Sequence, residues 1–471
     1  MTSKKVHIIG IAGVAMSATA KLLLDDGWDV SGSDDAFYPP ASTYVEKLGV
    51  QFFEGYRASN IPEDVDLVVI GRNANLNPET NAEVAHAHEM GVEIQSFPEV
   101  VAEIISDTHK IIVAGSYGKS TVTSILSWVL LHAGKDPTYF IGAYPMNIAM
   151  EFTSHKGSGE VSVIEGDEYP TAHWDDSSKF LHFNADDVLL TSVGHDHVNV
   201  FPTYKKYVQP FIELLKKMPE HGLLIACTDN GGVSEVLEYA PQYITYGLEE
   251  GSLWRAENIT YGETTTFDLT HDGEIIIQLT TKLLGAHNVQ NIVGAAAALL
   301  TRELVTPEEL ESALTDFSGV KRRLNKVTTT ATVPAYEGFG SSYEKARAAI
   351  EAIQLHYPDK KMVVLFEPHT FSWRNHDALS WYDTVFEGVR EVLVFHPAEQ
   401  GADTHKQLSQ KEITERINAA DVSAKAVNTA EEIHEHLQSA LDENSVLLVL
   451  TSGNLDGALD TLPEWLDTNF S

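Results

Sequence analysis

The sequence predicts an α/β protein of three domains. A chain of 471 residues points to about three domains. Short apolar strand candidates alternate with helical stretches throughout, the pattern of parallel sheets. Near the end of the first quarter, the apolar run Lys110-Ile111-Ile112-Val113-Ala114 meets Gly115-Ser116-Tyr117-Gly118-Lys119-Ser120-Thr121, which reads as a strand, a glycine-pinned turn and a helix start.

Residues 1–107 form the first expected domain. Residues 6–9 read as a strand, Gly10-Ile11-Ala12-Gly13 as a turn, and residues 14–26 carry helical periodicity. A second strand covers residues 28–33, with Asp34 and Asp35 at its end, and a third covers residues 65–71. The turn holds only part of the GxGxxG pattern, so a dinucleotide or the phosphate of a nucleotide sugar suits the helix N-terminus behind it.

Residues 108–325 form the second domain, with strands near 161–164, 188–191 and 223–226. An alternating stretch over 254–284 reads as appended antiparallel strands, and residues 293–300 as an alanine-rich helix. Residues 326–471 form a third α/β domain, with strands near 362–365, 391–395 and 445–450.

A formal net charge of −36 repels nucleic-acid phosphates, and the acidic residues are scattered as a solvated surface would have them. Any anionic ligand therefore needs local Lys, Arg, helix N-termini or Mg²⁺. No apolar run of about 18 residues predicts a membrane span. The first apolar stretch is too short for a signal peptide. The single cysteine, Cys227, excludes an intramolecular disulfide and fits a reducing cytoplasm. It lies in an apolar run and reads as a packed core thiol.

The turn at 115–121 carries the strongest chemistry. Glycines let backbone amides converge on phosphate oxygens, Lys119 meets the β/γ-phosphates and the Ser120 hydroxyl binds Mg²⁺. The loop is two residues shorter than the usual GxxxxGK[ST] form. Two acidic segments follow buried strands: Glu165-Gly166-Asp167-Glu168-Tyr169 and Gly194-His195-Asp196-His197. Parallel strands ending side by side would bring both segments to the phosphate loop, where they can supply ligands to Mg²⁺ beside Ser120. In His287-Asn288-Val289-Gln290-Asn291 an amide side chain suits an adenine edge or a helix cap. Lys321-Arg322-Arg323 offers a guanidinium to a transferring γ-phosphoryl group.

Together these segments resemble the Mur ligase family, ATP-dependent amide-bond enzymes of bacterial cell-wall assembly. The resemblance runs in order along nearly the whole chain. Gly10-Ile11-Ala12-Gly13-Val14-Ala15-Met16 resembles the family's UDP-binding turn, with Ser33 and Asp34 beside it. Ala114 to Thr121 resembles AGTHGKTT, Glu165 to Tyr169 resembles EADEY, and Asp196-His197 the DH pair. His287 to Asn291 resembles HNxxN, and Lys321-Arg322-Arg323 resembles KRR. Glu337 stands where relatives carry an ATP-contacting aspartate, but the His-His-Pro expected after it is replaced by Gly340-Ser341-Ser342-Tyr343.

The resemblance implies a Rossmann-like N-terminal domain for a UDP-sugar, a central P-loop ATPase-like domain, and a Rossmann-like C-terminal domain that brings the amine and closes over ATP. It implies catalytic roles for Lys119, Glu165, His197 and Arg323. ATP contacts are expected at Gly115 to Thr121, Asn288, Asn291, Arg323 and Glu337. UDP-sugar contacts are expected at Gly10, Ala12, Gly13, Val14, Ala15, Met16, Ser33 and Asp34. The resemblance also implies Mg²⁺ held by Ser120, Glu165 and His197, with ATP, UDP-N-acetylmuramate and a muropeptide or amino acid as the molecules bound.

Within the family, Tyr38-Pro39-Pro40-Ala41-Ser42-Thr43 and Lys179-Phe180 resemble the branch that attaches the tripeptide L-Ala-γ-D-Glu-meso-diaminopimelate. A tripeptide acceptor is the main expectation. L-alanine is the alternative, and a UDP-sugar-binding regulatory protein is a reading of another class.

Overall fold

Among the described residues, strong strand formers at buried positions build three large sheets, beside a small antiparallel pair, Pro170–Ala172 with Asp175–Ser178. The computed structural model describes residues 3–37, 41–73, 75–147, 150–197, 200–396 and 407–471. The N-terminal sheet has five parallel strands in the order Gln51–Glu54, Asp29–Asp34, Lys5–Ile9, Leu67–Ile70, Glu93–Gln95. The order in which strands are added switches sides at Lys5–Ile9, so the turn Gly10 to Gly13 lies at the crevice where such sheets take ligands.

The central sheet has ten strands. His109–Ala114 lies inside it, with Val161–Glu165 on one side and Asp187–Leu190 on the other, all parallel. Their registers pair Val113 with Glu165 and Ala114 with Leu190. The acidic segments after the flanking strands therefore emerge beside the phosphate loop, as expected. The appended strands Trp254–Tyr261, Thr265–His271 and Glu274–Thr281 form one end of this sheet.

The third sheet has six strands in the order Arg323–Lys326, Ala335–Gly338, Ser445–Leu450, Lys361–Phe366, Glu391–Phe395, Ser423–Val427. Only the first pair is antiparallel. That pairing binds Arg323–Lys326 to the C-terminal sheet, so a boundary at 325 would cut through a strand.

By contacts the chain divides into two compact units. One holds Met1–Asn258, Phe267–Thr280 and Gln290–Phe317; the other holds Ile259–Thr266, Thr281–Val289 and Ser318–Ser471. The N-terminal and central sheets share the first unit because one hydrophobic core runs through both, from Val6 and Leu22 to Phe97, Phe140, Phe180 and Phe211. The rings of Phe97 and Phe140 stack at 5.7 Å, and Ser154 Oγ donates to the Ala18 carbonyl at 2.7 Å. The second unit packs the faces of its own sheet around Phe366 and Trp373 and around Leu365 and Leu447.

The helix expected over 293–300 is longer, Ala286–Thr301. It starts just after Gly285, whose φ of 88° turns the chain. The His287 to Asn291 motif therefore sits in its first turns. No helix among the described residues is long and apolar enough to cross a membrane.

Candidate active site

The phosphate loop joins His109–Ala114 to the helix Lys119–His132. Two glycines are required by its shape. Gly115 has φ 135°, and a Cβ there would lie 2.2 Å from Thr191 Oγ1 and 2.8 Å from the Ser192 amide nitrogen. Gly118 caps the helix at φ 86°, and a Cβ would meet Asn291 Oδ1 at 2.7 Å. Asn291, an expected nucleotide contact, is thus beside the loop.

Not every amide of the loop is free for phosphate. The Ser116 amide donates to the Ser192 carbonyl at 3.2 Å and the Tyr117 amide to Ser192 Oγ at 2.9 Å. The first amides of the helix from Lys119 onward have no acceptor within the helix and present the positive end of its dipole.

Two carboxylates meet the loop. Ser120 Oγ donates to Glu165 Oε1 at 2.8 Å, and the Gly142 amide donates to Glu165 Oε2 at 2.6 Å. Ser120, in the first turn of the helix, and Glu165, at the end of the neighbouring strand, are hard oxygen donors, a set that suits Mg²⁺, which takes only a few ligands from protein. Among the described residues, no group of three or more His, Cys, Asp or Glu side chains converges as a metal cage.

The second carboxylate is Glu168, fully buried. Its Oε2 accepts from Lys119 Nζ at 2.8 Å, and its Oε1 lies 3.3 Å from His197 Nε2 and 3.4 Å from the Tyr207 hydroxyl. Lys119 also donates to the Gly115 carbonyl. Burial alone would raise the Glu168 carboxyl, but the Lys119 charge and the His197 hydrogen bond hold it well below the usual carboxylate range. Burial would lower Lys119, and the Glu168 charge raises it instead. His197, expected beside the metal, therefore faces Glu168, with its Nδ1 2.9 Å from the Tyr169 hydroxyl.

Glu168 and Tyr207 were absent from the expected site. The acid of Glu168 was legible in its segment, but nothing local marks it as buried. Tyr207 lies on the helix Tyr204–Lys217, where it reads as an ordinary apolar-face residue.

In the N-terminal sheet the Ala12 amide donates to Asp34 Oδ2 at 2.8 Å, which fixes the glycine turn. Ser33 is fully buried and its hydroxyl donates to Glu83 Oε1 at 2.6 Å. Met16 is buried, whereas Gly13 is exposed.

In the second unit Glu337 pairs with Arg322 Nε at 3.1 Å, and the Arg323 guanidinium stacks over Phe339 at 5.1 Å. Asn288 Nδ2 donates to the Leu284 carbonyl at 2.8 Å, which ties the first turn of the helix to the chain that enters it.

A phosphate loop whose lysine and serine each meet a carboxylate from the neighbouring strand end, in a chain of α/β domains, is the arrangement of an ATP-dependent ligase class. The sequence matches the description "Mur ligase family, catalytic domain" over residues 5–109 and "Mur ligase middle domain" over 113–299. The chain belongs to the Mur ligase family and is an ATP-dependent enzyme that forms an amide C–N bond.

A UDP-N-acetylmuramate–L-alanine ligase from Desulfatibacillum aliphaticivorans is 30% identical over 370 residues, 78% of each chain. One from Geobacter sp. (strain M21) is 28% identical over 96% of this chain and 95% of its own. The crystal structure of the UDP-N-acetylmuramate–alanine ligase from Thermotoga maritima matches with a TM-score of 0.80 at 21% identity, covering 98% of this chain and 99% of that one. The tripeptide ligase from Neisseria meningitides matches with a TM-score of 0.61 at 30% identity, covering 68% of this chain and 100% of that one.

These relatives overturn the tripeptide acceptor expected from the sequence. The curated relatives that match 78–98% of this chain are named alanine ligases, and the alanine enzyme's TM-score of 0.80 exceeds the 0.68 of a murein peptide ligase from Psychrobacter arcticus and the 0.61 of the Neisseria enzyme. The Tyr38-Pro39-Pro40 segment that carried the expectation lies outside the described residues. A short local segment sets neither fold nor acceptor by itself.

Proposed function

We propose that the chain joins L-alanine to the lactyl carboxylate of UDP-N-acetylmuramate, with ATP cleaved to ADP and phosphate. The observation that carries this reading is the Lys119–Ser120 pair at a helix N-terminus, each residue against its own carboxylate. The acceptor and sugar follow from the relatives' names.

A carboxylate does not accept an amine at neutral pH, so it must be activated. The γ-phosphoryl group passes to a lactyl carboxylate oxygen, breaking the bond to ADP and forming an acyl phosphate. The amine nitrogen attacks the acyl carbon, loses a proton, and inorganic phosphate leaves. Lys119 and the helix N-terminus hold the phosphate charge that builds during transfer. Ser120 and Glu165 would hold Mg²⁺, which neutralises phosphate charge when bound, and His197 orients its surroundings through Glu168. Ala12 to Ala15 in the N-terminal turn take the UDP phosphates. Arg323, Glu337 and Asn291 are assigned to ATP, and residues 326–471 to the amine.

The test is ADP release with UDP-N-acetylmuramate and L-alanine together, compared with each omitted. Lys119→Ala should abolish coupling and leave UDP-sugar binding within about twofold. Full activity in that variant, or no ADP release with L-alanine, overturns the reading.

A further inference from the structure

We propose that Glu168 is a positioning residue for the phosphate loop, acting on nucleotide through Lys119. An ammonium has three N–H donors in fixed tetrahedral directions. The Gly115 carbonyl and Glu168 Oε2 take two of them. Tetrahedral geometry directs the third away from both of these acceptors. Without Glu168 the nearly buried lysine would lose the one carboxylate in contact with it, leaving only the more distant charges of Asp167 and Glu165, and a long flexible side chain in that state turns outward.

The carboxylate is itself held. Its Oε1 takes the Tyr207 hydroxyl at 3.4 Å and faces His197 Nε2 at 3.3 Å. The Tyr207 hydroxyl is 2.7 Å from Ser116 Oγ, and Ser116 Oγ accepts the Gly194 amide at 2.9 Å. Glu168 therefore ties three segments together: the phosphate loop, its own strand end and the loop that carries His197. Ser116 stands where the family's loop has threonine, and its hydroxyl is what engages Tyr207. A carboxylate held on both oxygens cannot swing with the lysine, so it acts as a fixed stop for the ammonium.

This inference rests on the proposed nucleotide site but not on the acceptor. It is tested by MgADP binding to the whole protein with no UDP-sugar or amine present, so coupling to L-alanine can fail while the inference stands. A double-mutant cycle separates action through Lys119 from a general structural role. Glu168→Gln keeps the side-chain shape and removes the charge. In the wild-type background it should weaken MgADP binding by about tenfold or more. In the Lys119→Ala background it should add less than about twofold, and UDP-N-acetylmuramate affinity should not move.

Equal weakening in both backgrounds would assign Glu168 to structure alone and overturn the proposal. So would unchanged MgADP affinity in the single variant. If Glu168→Gln does not fold, Tyr207→Phe removes only the hydroxyl that supports Oε1. It should show a smaller loss with the same dependence on Lys119, and a loss independent of Lys119 overturns the proposal equally.

Discussion

Ser120 Oγ donates to Glu165 Oε1 at 2.8 Å, although the two residues lie on different elements. The contact exists because Glu165 ends a strand whose register places it against Val113, next to the loop. Under the proposed function this pair supplies the protein's oxygens to Mg²⁺. Glu165→Gln keeps the hydrogen-bonding shape but removes the charge. It should raise the Mg²⁺ needed for half-maximal ADP release by about 10–100-fold. A Mg²⁺ titration of coupled ADP release checks this, and an unshifted curve removes Glu165 from the metal site.

Gly115→Ala should cost more than a surface glycine substitution. The residue sits at φ 135°, and its new methyl would overlap Thr191 Oγ1. Strain of this kind costs about 1–3 kcal/mol. Urea unfolding should register the loss, and MgADP affinity should fall with it. Gly273→Ala, where a Cβ meets open space at φ 78°, separates strain from crowding.

A helix packed on the N-terminal sheet, Ala82–Met90, carries a buried charge whose effect depends on pH. Glu83 is fully buried and accepts from His7 at 2.7 Å, Ser33 at 2.6 Å, and the Arg57 amide and Asn60 at 2.8 Å each. Burial would raise its carboxyl, but these donors, His7 foremost, lower it below the ordinary value. A folded pKa below the unfolded one, near about 4.3, gives stability that is complete above that pH and lost as pH falls. Glu83→Ala should cost about 3–5 kcal/mol at neutral pH and flatten the acid limb of stability against pH. Denaturant unfolding across the acid range checks both, and an unchanged acid limb would clear Glu83 of the effect.

Cys227 should be inert in the native protein. Its thiol is fully buried on the strand Leu224–Cys227, and burial pushes it up to about 12. Iodoacetamide at mildly alkaline pH should leave the folded chain unmodified and add one carbamidomethyl group once urea is present. Mass spectrometry reads the difference, and fast native alkylation would mean that this strand opens.

Much of this arrangement was legible in local sequence. The strand at 391–395 and that at 445–450 fall where the apolar runs place them. The glycine spacing of residues 115–118 and the lysine and serine that follow specify a phosphate loop, because backbone dihedrals and helix starts depend on a few neighbouring residues. The first turn at Gly10 was equally local, and the family resemblance rested on such segments.

Side-chain partners were decided elsewhere. Ser33 beside the glycine turn looks like a ligand contact, yet it faces Glu83 from a separate helix. Glu337 is held by Arg322 across an antiparallel strand pair. Glu165 and Glu168 sit three residues apart in one acidic run, but one meets Ser120 and the other Lys119. The sequence by itself determined the α/β class, the phosphate loop and the family, since periodicity and turn chemistry are short-range. Only the tertiary structure decided that Glu168 is fully buried between Lys119 and His197, because burial and charge pairing depend on which distant strands end side by side.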